Sequence, residues 1–212
     1  CWDPIFKTDL WDGKLALVNI ASGSLLTTTS GISKYSIASA TFDRRIFLVE
    51  NLPTSISKFK ESIFVAYGWQ NEIQVFDVEG DYLYSFGQKG NDHGEFIEPF
   101  NIFEWEEKLY VLDSGNNRIQ IFDENSNYEN EFSTDYLSNN NSKPKDFSIY
   151  ENEIFVTYNY DTSISRFDLE GELIEIIDLS PYVDSNSISS LHVNDGLIGI
   201  TDSSEHRIMI FD

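Results

Sequence analysis

The sequence predicts an all-β fold built from one unit used again and again, and three observations predict it. A motif recurs in register: Ile73-Gln74-Val75-Phe76-Asp77, Ile119-Gln120-Ile121-Phe122-Asp123, Ile164-Ser165-Arg166-Phe167-Asp168 and Ile208-Met209-Ile210-Phe211-Asp212. Its closing Asp residues are 46, 45 and 44 positions apart. A second apolar motif precedes each copy, as Ile63-Phe64-Val65, Leu109-Tyr110-Val111, Ile154-Phe155-Val156 and Leu197-Ile198-Gly199. The gap between the two motifs is constant, because Tyr67, Asp113, Tyr158 and Asp202 each stand six residues before the next Ile. Four-stranded units repeating every 40–45 residues or so are the signature of a β-propeller.

Each unit reads as four short strands. In the best-preserved unit they are Phe100 to Phe103, Lys108 to Asp113, Arg118 to Phe122 and Tyr128 to Phe132. The alternation in Arg118-Ile119-Gln120-Ile121 has the period of two that a strand requires. Turn-forming runs fall at one place in successive units: Glu79-Gly80-Asp81, Glu124-Asn125-Ser126-Asn127 and Glu170-Gly171-Glu172. Such runs are hairpin signals. No segment shows a capped helical period of 3.6 residues.

The blades divide the chain, as a single propeller domain over 1–212, into 1–50, 51–92, 93–138, 139–184 and 185–212. The first is degenerate, with Lys14-Leu15-Ala16-Leu17-Val18 as its second strand. The last stops after its third strand. About five blades are visible, and at this repeat length six would need roughly 250–270 residues. The expectation is an incomplete six-bladed propeller; a tight five-bladed ring is the alternative. An open arc leaves an unpaired strand edge at each end, which invites association.

Composition narrows the function classes. The 212 residues carry 36 acidic and 14 basic side chains, a formal charge of −22. Nucleic acid is a poor partner for such a chain, because phosphate binding needs clustered Lys and Arg. Hydrophobic residues at 41% and aromatics at 15% are enough for a packed core. No apolar run reaches the roughly 20 residues of a membrane helix. Cys1 is the sole cysteine, so no internal disulfide can form. A Cys at position 1 is how a mature bacterial lipoprotein begins, which implies export and a lipid anchor; a chain cut at an arbitrary point is the other reading. Export is the expectation. Asn140-Asn141-Ser142 is a formal glycosylation acceptor inside an Asn-rich blade link, where such a match arises readily by accident.

Residues 84–123 resemble the NHL repeat, the unit of a six-bladed propeller family. The resemblance rests on Tyr84-Ser85-Phe86-Gly87, on Gly90, Gly94-Glu95-Phe96 and Pro99, and on the run from Leu109 to Asp123. The fifth blade keeps Thr201-Asp202-Ser203-Ser204-Glu205-His206-Arg207-Ile208. Blades two and four depart from the pattern, with Tyr67 and Tyr158 in place of the Asp and Glu72 and Ser163 in place of the Arg. The resemblance spans about residues 50–212 and implies a fold, since one fold hosts many activities.

Alternating strand direction places the turn between second and third strands on the same face as the blade-to-blade links. Loops 67–72, 113–118, 158–163 and 202–207 therefore share one face. Candidate ligand-binding residues there are Tyr67, Trp69, Asp113, Asn116, Tyr158, Tyr160 and Asp202, aromatic and acidic loops alternating around a channel mouth. Aromatic platforms near hydroxyl and carboxylate groups suit a glycan or a peptide. Asp113–Arg118 and Asp202–Arg207 read as structural ion pairs, each a bidentate bridge that locks its loop. The opposite rim collects Glu79, Glu104, Glu106, Glu107, Glu151, Glu153, Glu170 and Asp195 and reads as a solvated surface.

The reading is a binding or scaffold module without catalytic residues or cofactor, presenting these loops to a protein, peptide or glycan. The alternative is a metal-dependent hydrolase or lyase, lactonase-like or amidating-lyase-like, with calcium or zinc in the central channel. Zinc lyases of this propeller type hold the metal with His placed directly after the Pro of a first strand. Phe100 stands there in this sequence, and the matching Lys145-Asp146 and Ile188-Ser189 contain no His. His93, His192 and His206 occupy three non-equivalent places in the repeat, whereas a zinc site needs three or four converging ligands.

Overall fold

The computed structural model describes residues 53–78, 80–136, 142–185 and 187–212 in full, and the backbone of strands 8–11, 14–17, 31–36 and 41–48. Cys1, Glu79 and Asn140 lie outside the described residues, and with them the expectations placed on them. Nineteen strands form five antiparallel sheets among the described residues. The first sheet holds β1 (Thr8–Trp11), β2 (Lys14–Leu17), β3 (Gly31–Ser36) and β4 (Thr41–Leu48). The second holds β5 (Ser55–Phe59), β6 (Ser62–Tyr67), β7 (Glu72–Asp77) and β8 (Tyr82–Phe86). The third holds β9 (Pro99–Trp105), β10 (Lys108–Asp113), β11 (Arg118–Phe122) and β12 (Tyr128–Ser133). The fourth holds β13 (Pro144–Tyr150), β14 (Glu153–Tyr158), β15 (Ser163–Asp168) and β16 (Leu173–Asp178). The fifth has three strands, β17 (Ile188–Asn194), β18 (Leu197–Asp202) and β19 (Arg207–Phe211). In each, strands adjacent in sequence are adjacent in space, the meander of a propeller blade. No described helix is long and apolar enough to cross a membrane.

The second strands of the second, third and fourth blades are almost wholly apolar because both of their faces are covered. In β10, Leu109 and Val111 enter the core between the second and third blades, while Tyr110 and Leu112 enter the core between the third and fourth. In β14, Ile154, Val156 and Tyr158 face the third blade and Phe155 faces the fifth. Alternation therefore distributes one strand between two cores. The fifth blade shows the contrast. Ile208 and Ile210 are 50% and 68% exposed, whereas their repeat equivalents Ile119 and Ile121 are 0% and 3% exposed.

Local turn chemistry explains the hairpins. The Asp that closes each third strand caps the next turn: Asp77, Asp123 and Asp168 accept from the backbone N–H of Asp81, Asn127 and Glu172, each at 2.8 Å. The turns between first and second strands use left-handed pairs, Glu106-Glu107, Glu151-Asn152 and Asp195-Gly196. Primed turns of that kind match the twist of the strands they join.

Successive first strands are joined by a buried polar chain. Ser55 Oγ donates to Asn101 Oδ1 at 2.7 Å, and Asn101 Nδ2 donates to Asp146 Oδ1. Asp146 Oδ2 accepts from Ser190 Oγ at 2.9 Å and from the Leu191 N–H at 2.8 Å. Ser55, Asn101, Asp146 and Ser190 are spaced 46, 45 and 44 residues apart, the steps of the repeat itself. First strands thus form the inner ring, and the blades are bonded to one another there.

Candidate functional site

The face that carries the blade links also carries the loops between second and third strands, as the backbone shows. The Asn159 N–H donates to the Lys143 carbonyl at 2.8 Å, and the Gly115 N–H to the Ile97 carbonyl at 2.7 Å. Each loop therefore packs on a link.

Loop 67–72 turns tightly, with the N–H groups of Gln70 and Asn71 on the Tyr67 carbonyl and Asn71 at φ 59°. Tyr67 is buried, and Trp69 at the tip is 81% exposed. Loop 158–163 follows a different turn but again sets an exposed aromatic two residues beyond a buried tyrosine. Tyr158 is buried and its hydroxyl donates to the Thr134 carbonyl at 3.0 Å; Tyr160, at φ 59°, is 61% exposed. Burial pushes both buried phenols well above the ordinary tyrosine range, with the Glu72 charge adding to the effect at Tyr67.

Loop 113–118 is an interlocked polar core. Asp113 is wholly buried; its Oδ1 accepts from the Ile97 N–H at 2.7 Å, and its Oδ2 accepts from Arg118 Nε and Asn116 Nδ2, both at 2.8 Å. Arg118 spends its other N–H groups elsewhere. They reach the carbonyls of Asn91, Asp92 and Glu95 at 2.9–3.0 Å and Glu131 at 2.9 Å. The expected bidentate bridge is thus a single Nε contact, because the guanidinium fork is turned to hold the glycine-rich link. Burial raises the Asp113 carboxyl above the usual carboxylate range, and the hydrogen bonds from Asn116, Ile97 and Arg118 do not fully offset it.

In loop 202–207, Arg207 Nε donates to Asp202 Oδ2 at 3.0 Å and its NH2 reaches the Tyr182 carbonyl at 2.6 Å. This contact too is single. Burial works against the Asp202 carboxylate, but hydrogen bonds from Ser204 and Arg207 outweigh it and hold the group below its ordinary range.

The mouth drawn from the sequence needs correction. Tyr67, Asp113, Tyr158 and Asp202 are each no more than 1% exposed, so they lie beneath the surface and do not alternate around an opening. The tyrosines hold the repeat position that Asp113 and Asp202 hold in the other blades, and they pack into apolar clusters there. Asn116 is half-buried, and its Nδ2 is already given to the Gly90 carbonyl and Asp113. Trp69 and Tyr160 remain as accessible candidates, both two residues beyond a buried tyrosine.

The inner polar chain through Asn101 and Asp146 has no signature in residue type, although its register is that of the repeat. His93 stacks on Tyr128 with centroids 4.4 Å apart, and His192 and His206 are exposed on other elements. Among the described residues no group of three or more His, Cys, Asp and Glu side chains converges as a metal site.

Known proteins agree on the fold. A family model described as 6-bladed beta-propeller matches residues 46–143. Solved structures of similar architecture include virginiamycin B lyase from Staphylococcus aureus, 14% identical, over 98% of this chain and 69% of that one, with a TM-score of 0.67. A streptogramin B lyase is 18% identical over 95% of this chain and 65% of that one, at a TM-score of 0.64. A chain of a nidogen/laminin complex is 13% identical over 95% of this chain and 72% of that one, at a TM-score of 0.73. The chain thus spans between 65% and 72% of the length of these three. At such identities the likeness concerns the fold, and it agrees with the NHL-type propeller read from the sequence. No curated protein sequence matches the chain.

Proposed function

We propose that this β-propeller is a non-catalytic binding module whose link face holds a protein, peptide or glycan. One observation carries the reading. Trp69 and Tyr160 stand 81% and 61% exposed at equivalent repeat positions of blades two and four, each on a loop pinned by a buried tyrosine. A large aromatic side chain held out by a rigid turn gives contact area at little cost in conformational entropy. A propeller of similar fold in a nidogen/laminin complex lends precedent to a protein partner.

The test is a glycan and peptide array probed with the wild type, Trp69→Ala and Tyr160→Ala. A defined set of hits that weakens at least tenfold in either variant supports the reading; hits indifferent to both variants overturn it. Two lyases among the structural neighbours give the hydrolase or lyase alternative its own precedent. Elemental mass spectrometry on undialysed protein separates the two readings. About one calcium or zinc per chain moves the assignment toward the enzyme.

A further inference from the structure

Three consecutive first strands carry a bulge at the same place. In β9, Pro99 pairs with Asp113 and Asn101 with Leu112, which leaves Phe100 extra. In β13, Pro144 pairs with Tyr158 and Asp146 with Thr157, which leaves Lys145 extra. In β17, Ile188 pairs with Asp202 and Ser190 with Thr201, which leaves Ser189 extra. A bulge re-aims the side chain it inserts, and bulges gather at rims and beside functional sites. Phe100, Lys145 and Ser189 follow the repeat at steps of 45 and 44, so they occupy the same place in three neighbouring blades, at the link-face end of the first strands. The next residue in each strand, Asn101, Asp146 or Ser190, belongs to the chain that locks the blades. The bulges therefore set one layer aside from the structural lock.

That layer has a distinct chemistry. Phe100 is 38% exposed. Lys145 is half-buried; its Nζ makes one hydrogen bond, to the Ile188 carbonyl at 2.7 Å, and no carboxylate pairs with it among the described residues. Lys60, Lys108 and Lys143 by contrast each sit against a carboxylate. In a chain of charge −22 a half-buried ammonium without a carboxylate in salt-bridge contact among the described residues is conspicuous. Burial lowers its pKa, with the Asp146 charge acting in the opposite sense, and an anionic ligand would relieve that unfavourable burial. Loop 67–72 leans on the same end of the ring, since the Cβ position of Gly68 lies 3.1 Å from Thr54 and 3.3 Å from the Pro99 carbonyl.

We propose that Lys145, with Phe100 and Ser189 in the ring of bulges, anchors an acidic sugar, its carboxylate on the ammonium and its ring against the aromatic face. This rests on the binding-module reading and names a ligand class for it. Peptide carboxylates are captured by nests of backbone N–H groups; the bulges here present an ammonium, an aromatic ring and a hydroxyl, the set suited to a charged carbohydrate.

Calorimetric titration with tri-galacturonate and its methyl ester tests the proposal, at about 0.15 M salt, where the Debye length of about 8 Å screens the distant acidic rim. The acid should bind at least tenfold tighter than the ester. Lys145→Met should erase that difference, Lys145→Arg should keep most of it, and Lys143→Met, on a lysine paired with Glu98, should leave it unchanged. Equal binding of acid and ester, unaltered binding by Lys145→Met, or no binding of the acid overturns the proposal. So does selective binding of a peptide with a free C-terminus over its amide. Should Lys145→Met fail to fold, the acid–ester comparison and Lys145→Arg still decide. Array hits that vanish with Trp69→Ala yet ignore ligand charge overturn the acidic sugar and leave the binding module intact.

Discussion

Two Asp–Arg pairs in equivalent loops differ in what surrounds them, and the difference sets their energetics. Asp113 and Arg118 are both buried, while the Arg207 side chain is 45% exposed. Removing one member of a buried pair leaves a charge uncompensated and costs about 3–5 kcal/mol; Asp202 is buried too, but its partner Arg207 is solvent-screened and Ser204 still donates to its carboxylate, so the loss there is smaller. Arg118→Ala should therefore lower the urea midpoint strongly and Arg207→Ala only slightly. The two carboxyls should also titrate on opposite sides of the ordinary value of about 3.9 in carbon NMR. Burial raises Asp113, so its contribution to folding is greatest in acid and fades as pH climbs through its raised pKa. Asp202 is depressed, so its contribution is present near neutrality and fades as pH falls through its lowered pKa. The buried tyrosines differ as well. The Tyr158 hydroxyl has Thr134 as acceptor, whereas the Tyr67 hydroxyl is buried without a partner among the described residues. Tyr158→Phe should cost about 1 kcal/mol and Tyr67→Phe should be neutral or stabilising by the same denaturation measurement. Their burial was legible: Ile63, Val65 and Tyr67 alternate along one strand face, as do Ile154, Val156 and Tyr158. Reading them as loop residues hid that alternation.

At the scale of the element, loops and links fit closely. A Cβ on Gly115 would lie 2.3 Å from Ile97 Cγ2 and 2.6 Å from the Ile97 carbonyl, on the contact that docks the loop on its link. Gly115→Ala should cost about 1–3 kcal/mol, measured by thermal unfolding, with local loss of hydrogen-exchange protection at 95–98. Strand positions in the third blade were legible almost to the residue, since β10 and β11 span the segments read from the motifs. The first strand was read short, at Phe100–Phe103 against Pro99–Trp105. Pro99 opens the strand, and the bulge after it breaks the alternation on which such readings depend. On β19 the apolar residues Ile208 and Ile210 are solvent-exposed, the reverse of their counterparts on β11.

At the scale of the whole molecule, the repeat announced a propeller because it imposes a period on strands and turns alike. The inner polar chain was not legible by resemblance, because Ser55, Asn101, Asp146 and Ser190 share only their register. What they share physically is a bond to the next blade, which joins the second to fifth sheets into a ring segment. Asp146→Ala would strip acceptors from Asn101, Ser190 and the Leu191 N–H at once. It should cost about 3 kcal/mol or more and lower exchange protection in β9, β13 and β17 together. With the frame held from inside, the link face is left to carry Trp69 and Tyr160 outward, and that division of labour is the central claim. The array comparison of wild type, Trp69→Ala and Tyr160→Ala tests it most directly. The expected result is a narrow set of ligands bound by the wild type and weakened at least tenfold in one or both folded variants. Ligands retained in full by both variants would contradict it.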